Sequence, residues 1–213
     1  MAEYYYNLKL LGLERRLPIV ELPEKKLWIA SFMVTGDTEL THKCSDAFIR
    51  RFPNKNFDYV SVPEAKGIPL VETTCQKLSY YRYGILPMFK DYIVLRKEEK
   101  SYMENPLTTE ISSITTKGLQ KLVLNGLDAD KIKGKKVYLI DDVVSTGNSL
   151  TGAVNLLKSA GADIRFVGAV LREGNFDISN IEREVGSKIH FLAEERLPVF
   201  KTLEEIKGRC IAY

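Results

Sequence analysis

Histidine is scarce in this chain: His42 and His190 are the only two in 213 residues, too few for a histidine-rich metal centre. The three cysteines, Cys44, Cys75 and Cys210, are odd in number and form no Cys-x-x-Cys pair. That argues against a disulfide framework or a zinc site, and for reduced, mostly buried thiols. Excess charge of one sign is missing too. Against 28 Asp plus Glu stand 31 Lys plus Arg, and a net +3 gives no footing for a nucleic-acid surface. No apolar run approaches the ~20 residues of a membrane span. Met1 to Tyr6 carries an acid and tyrosines where a secretory signal needs positive charge and then an apolar stretch. Repeats and low-complexity segments are absent. Together these absences point to a cytoplasmic protein that binds neither nucleic acid nor membrane.

What is present is ordinary globular composition, 45% hydrophobic and 28% charged, in a length that suits one α/β domain with a small appendage. Short apolar runs alternate with helical patterns. Leu40, Cys44, Ala47, Phe48 and Phe52 give a helix over 39–52 one apolar face. A strand over 57–62 stops at Pro63, and a helix over 66–81 holds Pro69 in its first turn. Strands are expected at 92–95, 136–140, 164–171 and 189–193, with a helix over 150–160 closed by Gly161. Residues 101–116 are polar and contain Pro106, which suits a mobile excursion with a β-ribbon through 110–114. The fold class is therefore α/β, a Rossmann-like parallel sheet of about five strands flanked by helices. It forms a single domain over 1–213, in which 36–213 are the core and 1–35 a small hood or flap.

Val137 to Leu150 concentrates the chemistry. A buried strand ends in Asp141 and Asp142, and a short turn then leads to Ser145, Thr146, Gly147, Asn148 and Ser149 at the start of a helix. Ligands of open α/β sheets bind at the carboxyl ends of strands. The helix start offers free N–H groups and a positive dipole end to a phosphate, with hydroxyl donors beside them. The two carboxylates suit sugar hydroxyls or a hydrated magnesium ion. One loop thus has a phosphate end and a diol end.

This run resembles the 5-phosphoribosyl-1-pyrophosphate (PRPP) motif of the type I phosphoribosyltransferases: two hydrophobics, two acids, two hydrophobics, a small residue, then Thr-Gly. The resemblance implies that Asp141 and Asp142 contact the ribose hydroxyls and hold magnesium indirectly, through PRPP and water. It implies that Ser145 to Ser149 hold the 5-phosphate. Glu64, Ala65, Lys66 and Gly67 are similar to the family's pyrophosphate loop, which often holds a non-proline cis peptide. Arg96, Lys97 and Lys100 look like its basic junction into a catalytic flexible loop that excludes water. Lys97 and a loop acid such as Glu104 would share in catalysis.

The reaction so implied joins a purine base to the phosphoribosyl group of PRPP and releases pyrophosphate, with Mg2+ as cofactor and a homodimer as the assembly. Base choice rests on the segment after the fourth strand. Where 6-oxopurine enzymes place a donor lysine, this chain has Glu173, an acceptor that suits the 6-amino group of adenine. Phe176, or Trp28 of the hood, would stack on the base. Adenine is the favoured base. Other readings are a xanthine or other-base phosphoribosyltransferase, and a PRPP-sensing regulator without turnover.

Overall fold

The computed structural model describes residues 3–53, 56–83, 90–112, 119–186 and 188–212. An antiparallel hairpin opens the chain, β1 (Tyr4–Leu10) and β2 (Leu13–Leu22), and β3 (Leu27–Ala30) pairs alongside β2. Alternation forms it: Tyr6, Leu8 and Leu10 point to the core while Asn7 and Lys9 stay in water. Leu11 and Gly12 turn the hairpin with both φ angles positive, as a two-residue connection demands.

α1 (Thr38–Arg51) starts where the Asp37 carboxylate accepts the Leu40 N–H at 3.0 Å, and it buries the anticipated face of Leu40, Cys44, Ala47 and Phe48. There follow β4 (Tyr59–Pro63), α2 (Ile68–Tyr83, with Pro69 in its first turn) and β5 (Tyr92–Leu95). The expected ribbon is β6 (Leu107–Ser112) with β7 (Leu119–Leu124), six residues in each strand, and Ser113 and Ile114 lie outside the described residues. The rest is α3 (Gly126–Ile132), β8 (Lys136–Val144), α4 (Asn148–Ser159), β9 (Asp163–Glu173), α5 (Ser179–Val185), β10 (His190–Phe191), β11 (Arg196–Leu197), β12 (Val199–Phe200), α6 (Leu203–Arg209) and β13 (Ile211–Ala212).

The central sheet is parallel throughout, ordered β10-β9-β8-β4-β5, with β11 also pairing β9. From β4 the chain moves outward to β5, then returns to β4's other side as β8. The strand order therefore reverses between β4 and β8, and a crevice opens at their carboxyl ends. One face of the sheet carries Val60, Val62, Tyr138 and Phe166 under α1, α2 and the hood. The other carries Val137, Leu139 and Val167 against Leu156 and Leu157 of α4 and Ile132 of α3. Each such side chain stabilises the fold by about 1.5–3 kcal/mol. Tyr138 packs between Phe57 and Phe52, with ring centroids 4.1 and 4.9 Å away.

Three features depart from the sequence reading. β8 runs through both acids to Val144 rather than ending at Ile140, because β9 extends alongside and pairs Val143 with Leu171 and Val144 with Arg172. The strand expected over 189–193 pairs at only two positions, His190 and Phe191. The hood is a five-stranded sheet, β12-β3-β2-β1-β13, so residues 199–212 share in what 1–35 were expected to form alone. Cys44 and Cys75 are buried and Cys210 half-buried, all as free thiols. Among the described residues no helix is long and apolar enough to cross a membrane.

Candidate active site

A cleft of about 200 Å³ lies at the reversal point. Its floor is the end of β8 and the turn after it: Asp141, Asp142, and Ser145 through Ser149 all line it. Gly147 is the residue before α4, at φ 83°, and no side chain caps the helix. First-turn N–H groups of a helix have no intrahelical acceptors, so this end of α4 presents donors to the cleft. Glycine is needed at 147 for two reasons. The backbone is left-handed there, and a Cβ would sit 2.0 Å from Cδ1 of Ile181.

The acids are held on a paired strand rather than a loose turn. The Asp142 N–H donates to Oδ1 of Asp141 at 2.8 Å, and Asp142, 8% exposed, keeps a buried Oδ2 with no hydrogen-bond partner. Burial raises both carboxyls above the ordinary range; for Asp141 the neighbouring Asp142 charge adds to this, and for Asp142 the Lys66 charge opposes it.

Opposite stands the loop after β4. Pro63, Glu64, Ala65 and Lys66 line the cleft, and the Glu64–Ala65 peptide bond is cis, the feature that the resemblance implied. Gly67 is buried rather than lining: a Cβ there would lie 2.7 Å from Cγ2 of Val62 and 3.7 Å from the Asp142 nitrogen. Glycine thus lets this loop close onto the acid-bearing strand. Glu64 organises the basic end of β5, because its carboxylate accepts from Arg96 Nη1 at 3.2 Å and from the Lys97 N–H at 2.9 Å. Thr35 Oγ1 donates to the Lys66 carbonyl at 2.7 Å, tying the loop to the hood.

Not every anticipated residue converges. Lys97 lines the cleft, whereas Arg96 is engaged by Glu64 and Lys100 by Glu98 outside it. Glu104 is exposed, with its N–H bonded to the Asn125 side chain and its carbonyl to Gly126. Glu173 does line the cleft, 8% exposed, and burial pushes its carboxyl up to about 7, against the pull of Lys66 and with the push of Asp142. Phe176 packs on Gly174 instead, and Trp28 pairs with Phe200 inside the hood. The apolar wall is made by Ile29 and Phe32 of the hood and Leu197 of β11, with Ile111 and Leu122 of the ribbon across from them. The sequence held no local signal for these five, since long-range pairing alone brings them to the cleft. Among the described residues no three His, Cys, Asp or Glu side chains gather to hold a metal. Asp141 and Asp142 are the adjacent carboxylates that would hold an ion there through ligand oxygens and water.

Residues 38–180 match the sequence profile of the phosphoribosyl transferase domain. A hypoxanthine/guanine phosphoribosyltransferase of Methanothermus fervidus is 33% identical over 149 residues, 70% of this chain and 69% of that one. In fold, the adenine phosphoribosyltransferase of Leishmania donovani superposes with a TM-score of 0.59 at 15% identity, over 88% of this chain and 75% of that one. The Saccharomyces cerevisiae adenine enzyme, complexed with an imino-altritol bisphosphate and adenine, gives 0.57 at 19% identity, over 73% and 81%. With the acid pair, the glycine-cornered turn and the cis loop meeting at one crevice, this chain belongs to the phosphoribosyltransferase family.

Proposed function

We propose that the protein transfers the phosphoribosyl group of PRPP to a purine base, adenine above all, giving the nucleoside monophosphate and pyrophosphate. The observation that carries this reading is the single cleft lined by Asp141, Asp142, the 145–149 turn, Lys66 and Glu173. In this reading the 145–149 turn holds the 5-phosphate, and Asp141 and Asp142 accept from the ribose hydroxyls as positive charge develops on the sugar. Lys66 and Lys97 stand by the departing pyrophosphate, with Thr35 bonded to the Lys66 carbonyl and Glu64 to the Lys97 N–H. Asp141 and Asp142 would hold Mg2+ indirectly, through PRPP and water, and the ion would supply charge neutralisation to the leaving group. Ile29, Phe32 and Leu197 exclude water and pack on the base. A homodimer in the cytoplasm completes the reading.

The test is incubation with PRPP, Mg2+ and one free base at a time, with pyrophosphate as the readout. Release with adenine supports the proposal; PRPP binding without release for any base would leave a sensor in its place. A 6-oxopurine enzyme is the second reading, favoured by the named activity of the Methanothermus fervidus relative.

The Thr35 hydrogen bond makes a narrower prediction. Thr35→Val removes one bond worth about 1 kcal/mol, so the KM for PRPP should rise about fivefold. Thr35→Ser restores it, and the KM for the base stays put. Steady-state kinetics with each substrate varied in turn checks all three outcomes.

A further inference from the structure

Glu173 ends β9 at the cleft, nine-tenths buried, and among the described residues its carboxyl makes no hydrogen bond or ion pair. A largely buried carboxyl that opens on a cleft and has no protein partner is placed to meet a ligand's polar group. The charged groups that act on it are Lys66, from the loop after β4, and Asp142, from β8. The hood and β11 contribute only the uncharged Ile29, Phe32 and Leu197 to this cleft. Lys66 favours the carboxylate, whereas burial and Asp142 favour the neutral acid, and the balance lies at about 7.

Purines differ at carbon 6 in hydrogen-bond polarity: adenine carries an amino donor, and hypoxanthine and guanine an oxo acceptor. A fixed donor or acceptor in the site would reject one class. A carboxyl is an acceptor when ionised and gains a donor when protonated. We propose that Glu173 sets base specificity through both of its protonation states, so that one cleft takes 6-amino purines as the carboxylate and 6-oxo purines as the neutral acid. The proposal rests on the purine phosphoribosyltransferase reading. It accommodates a chain that resembles a hypoxanthine/guanine enzyme in sequence and adenine enzymes in fold.

The experiment measures kcat/KM for adenine and for hypoxanthine from about pH 6 to 8, at fixed PRPP and Mg2+, and takes their ratio. Effects of pH on PRPP and the metal cancel in that ratio. The adenine-to-hypoxanthine ratio is expected to rise by up to about tenfold per pH unit. Glu173→Gln, which offers a donor and an acceptor at every pH, should use both bases at a ratio that does not change with pH. A ratio independent of pH in the unaltered enzyme, or an unchanged slope in Glu173→Gln, would overturn the proposal. Should Glu173→Gln fail to fold, the slope of the unaltered enzyme decides alone. Absence of pyrophosphate release with every base would instead remove the underlying activity. The ratio of the two bases' affinities, read by calorimetry over the same pH range, then decides the role of Glu173 separately.

Discussion

Gly147→Ala is expected to weaken PRPP binding about a hundredfold, while Gly186→Ala leaves it unchanged. Both glycines sit in left-handed backbone, at φ 83° and 78°, so both substitutions incur the same conformational penalty of roughly 1 kcal/mol. Their surroundings differ. At 186 a Cβ meets nothing within 4 Å, whereas at 147 it lands 2.0 Å from Cδ1 of Ile181, with Cγ1 at 3.3 Å behind it. Ile181, on α5, is 3% exposed in the core and has little space to yield. Relief must come from the turn itself, which would carry the N–H donors of α4 away from the anion. Losing one or two charge-assisted bonds of about 1.5–3 kcal/mol each yields the hundredfold figure. Overpacking should also lower stability by about 1–3 kcal/mol beyond the Gly186 control. Calorimetric titration with PRPP and thermal unfolding of the two variants provide the comparison, and equal effects at both positions would refute the role given to Ile181.

Asp142→Asn should separate catalysis from stability. Its carboxylate is buried with one oxygen unpartnered, and in the proposed reading it stabilises positive charge developing at the sugar. Removing that charge is expected to lower kcat/KM by about two to three orders of magnitude. The unliganded fold should respond differently. Burial raises the carboxyls of Asp141, Asp142 and Glu173, so the folded chain holds protons that the unfolded chain releases. The stability linked to them is complete below the ordinary carboxylate range and is lost as pH rises through the shifted values. For Glu173 that window runs from 4.5 to about 7. The melting temperature of the unaltered protein should therefore fall across that window, and Asp142→Asn should show a shallower fall. A variant that kept its activity, or that kept the full slope, would contradict this account. Adding PRPP and Mg2+ should reduce the slope of the unaltered protein, since the sugar and ion then satisfy the acids.

The parts of this fold that were legible in the sequence are those whose signals are local. The α1 face of Leu40, Cys44, Ala47 and Phe48 is a 3.6-residue pattern, and the β5 strand over 92–95 is a bare apolar run; both stand where expected. The acid pair and the 145–149 turn were legible because strand, carboxylates, glycine and hydroxyls follow one another without a gap, and all of them line the cleft. Distance in the chain hid the remainder. Leu197 reaches the cleft only through pairing of β11 with β9, and Phe32 only because the hood folds over the sheet. Short helices such as α3 and α5, seven residues each, have too few turns for a periodic face to stand out. The pairing of charged residues was hidden for another reason. Arg96 and Lys100 have the right chemistry for an anion clamp, yet Glu64 and Glu98 engage them first, and a run of charges does not disclose its own internal pairing.

Because β12 and β13 close the hood against strands from the opposite end, the hood sheet is complete only once the last residues of the fold have left the ribosome. The residues proposed to hold the sugar phosphate are all synthesised by residue 149, whereas Leu197, on the wall proposed to pack on the base, comes later. A chain halted between those two points would carry every residue proposed for one substrate and lack part of the wall proposed for the other.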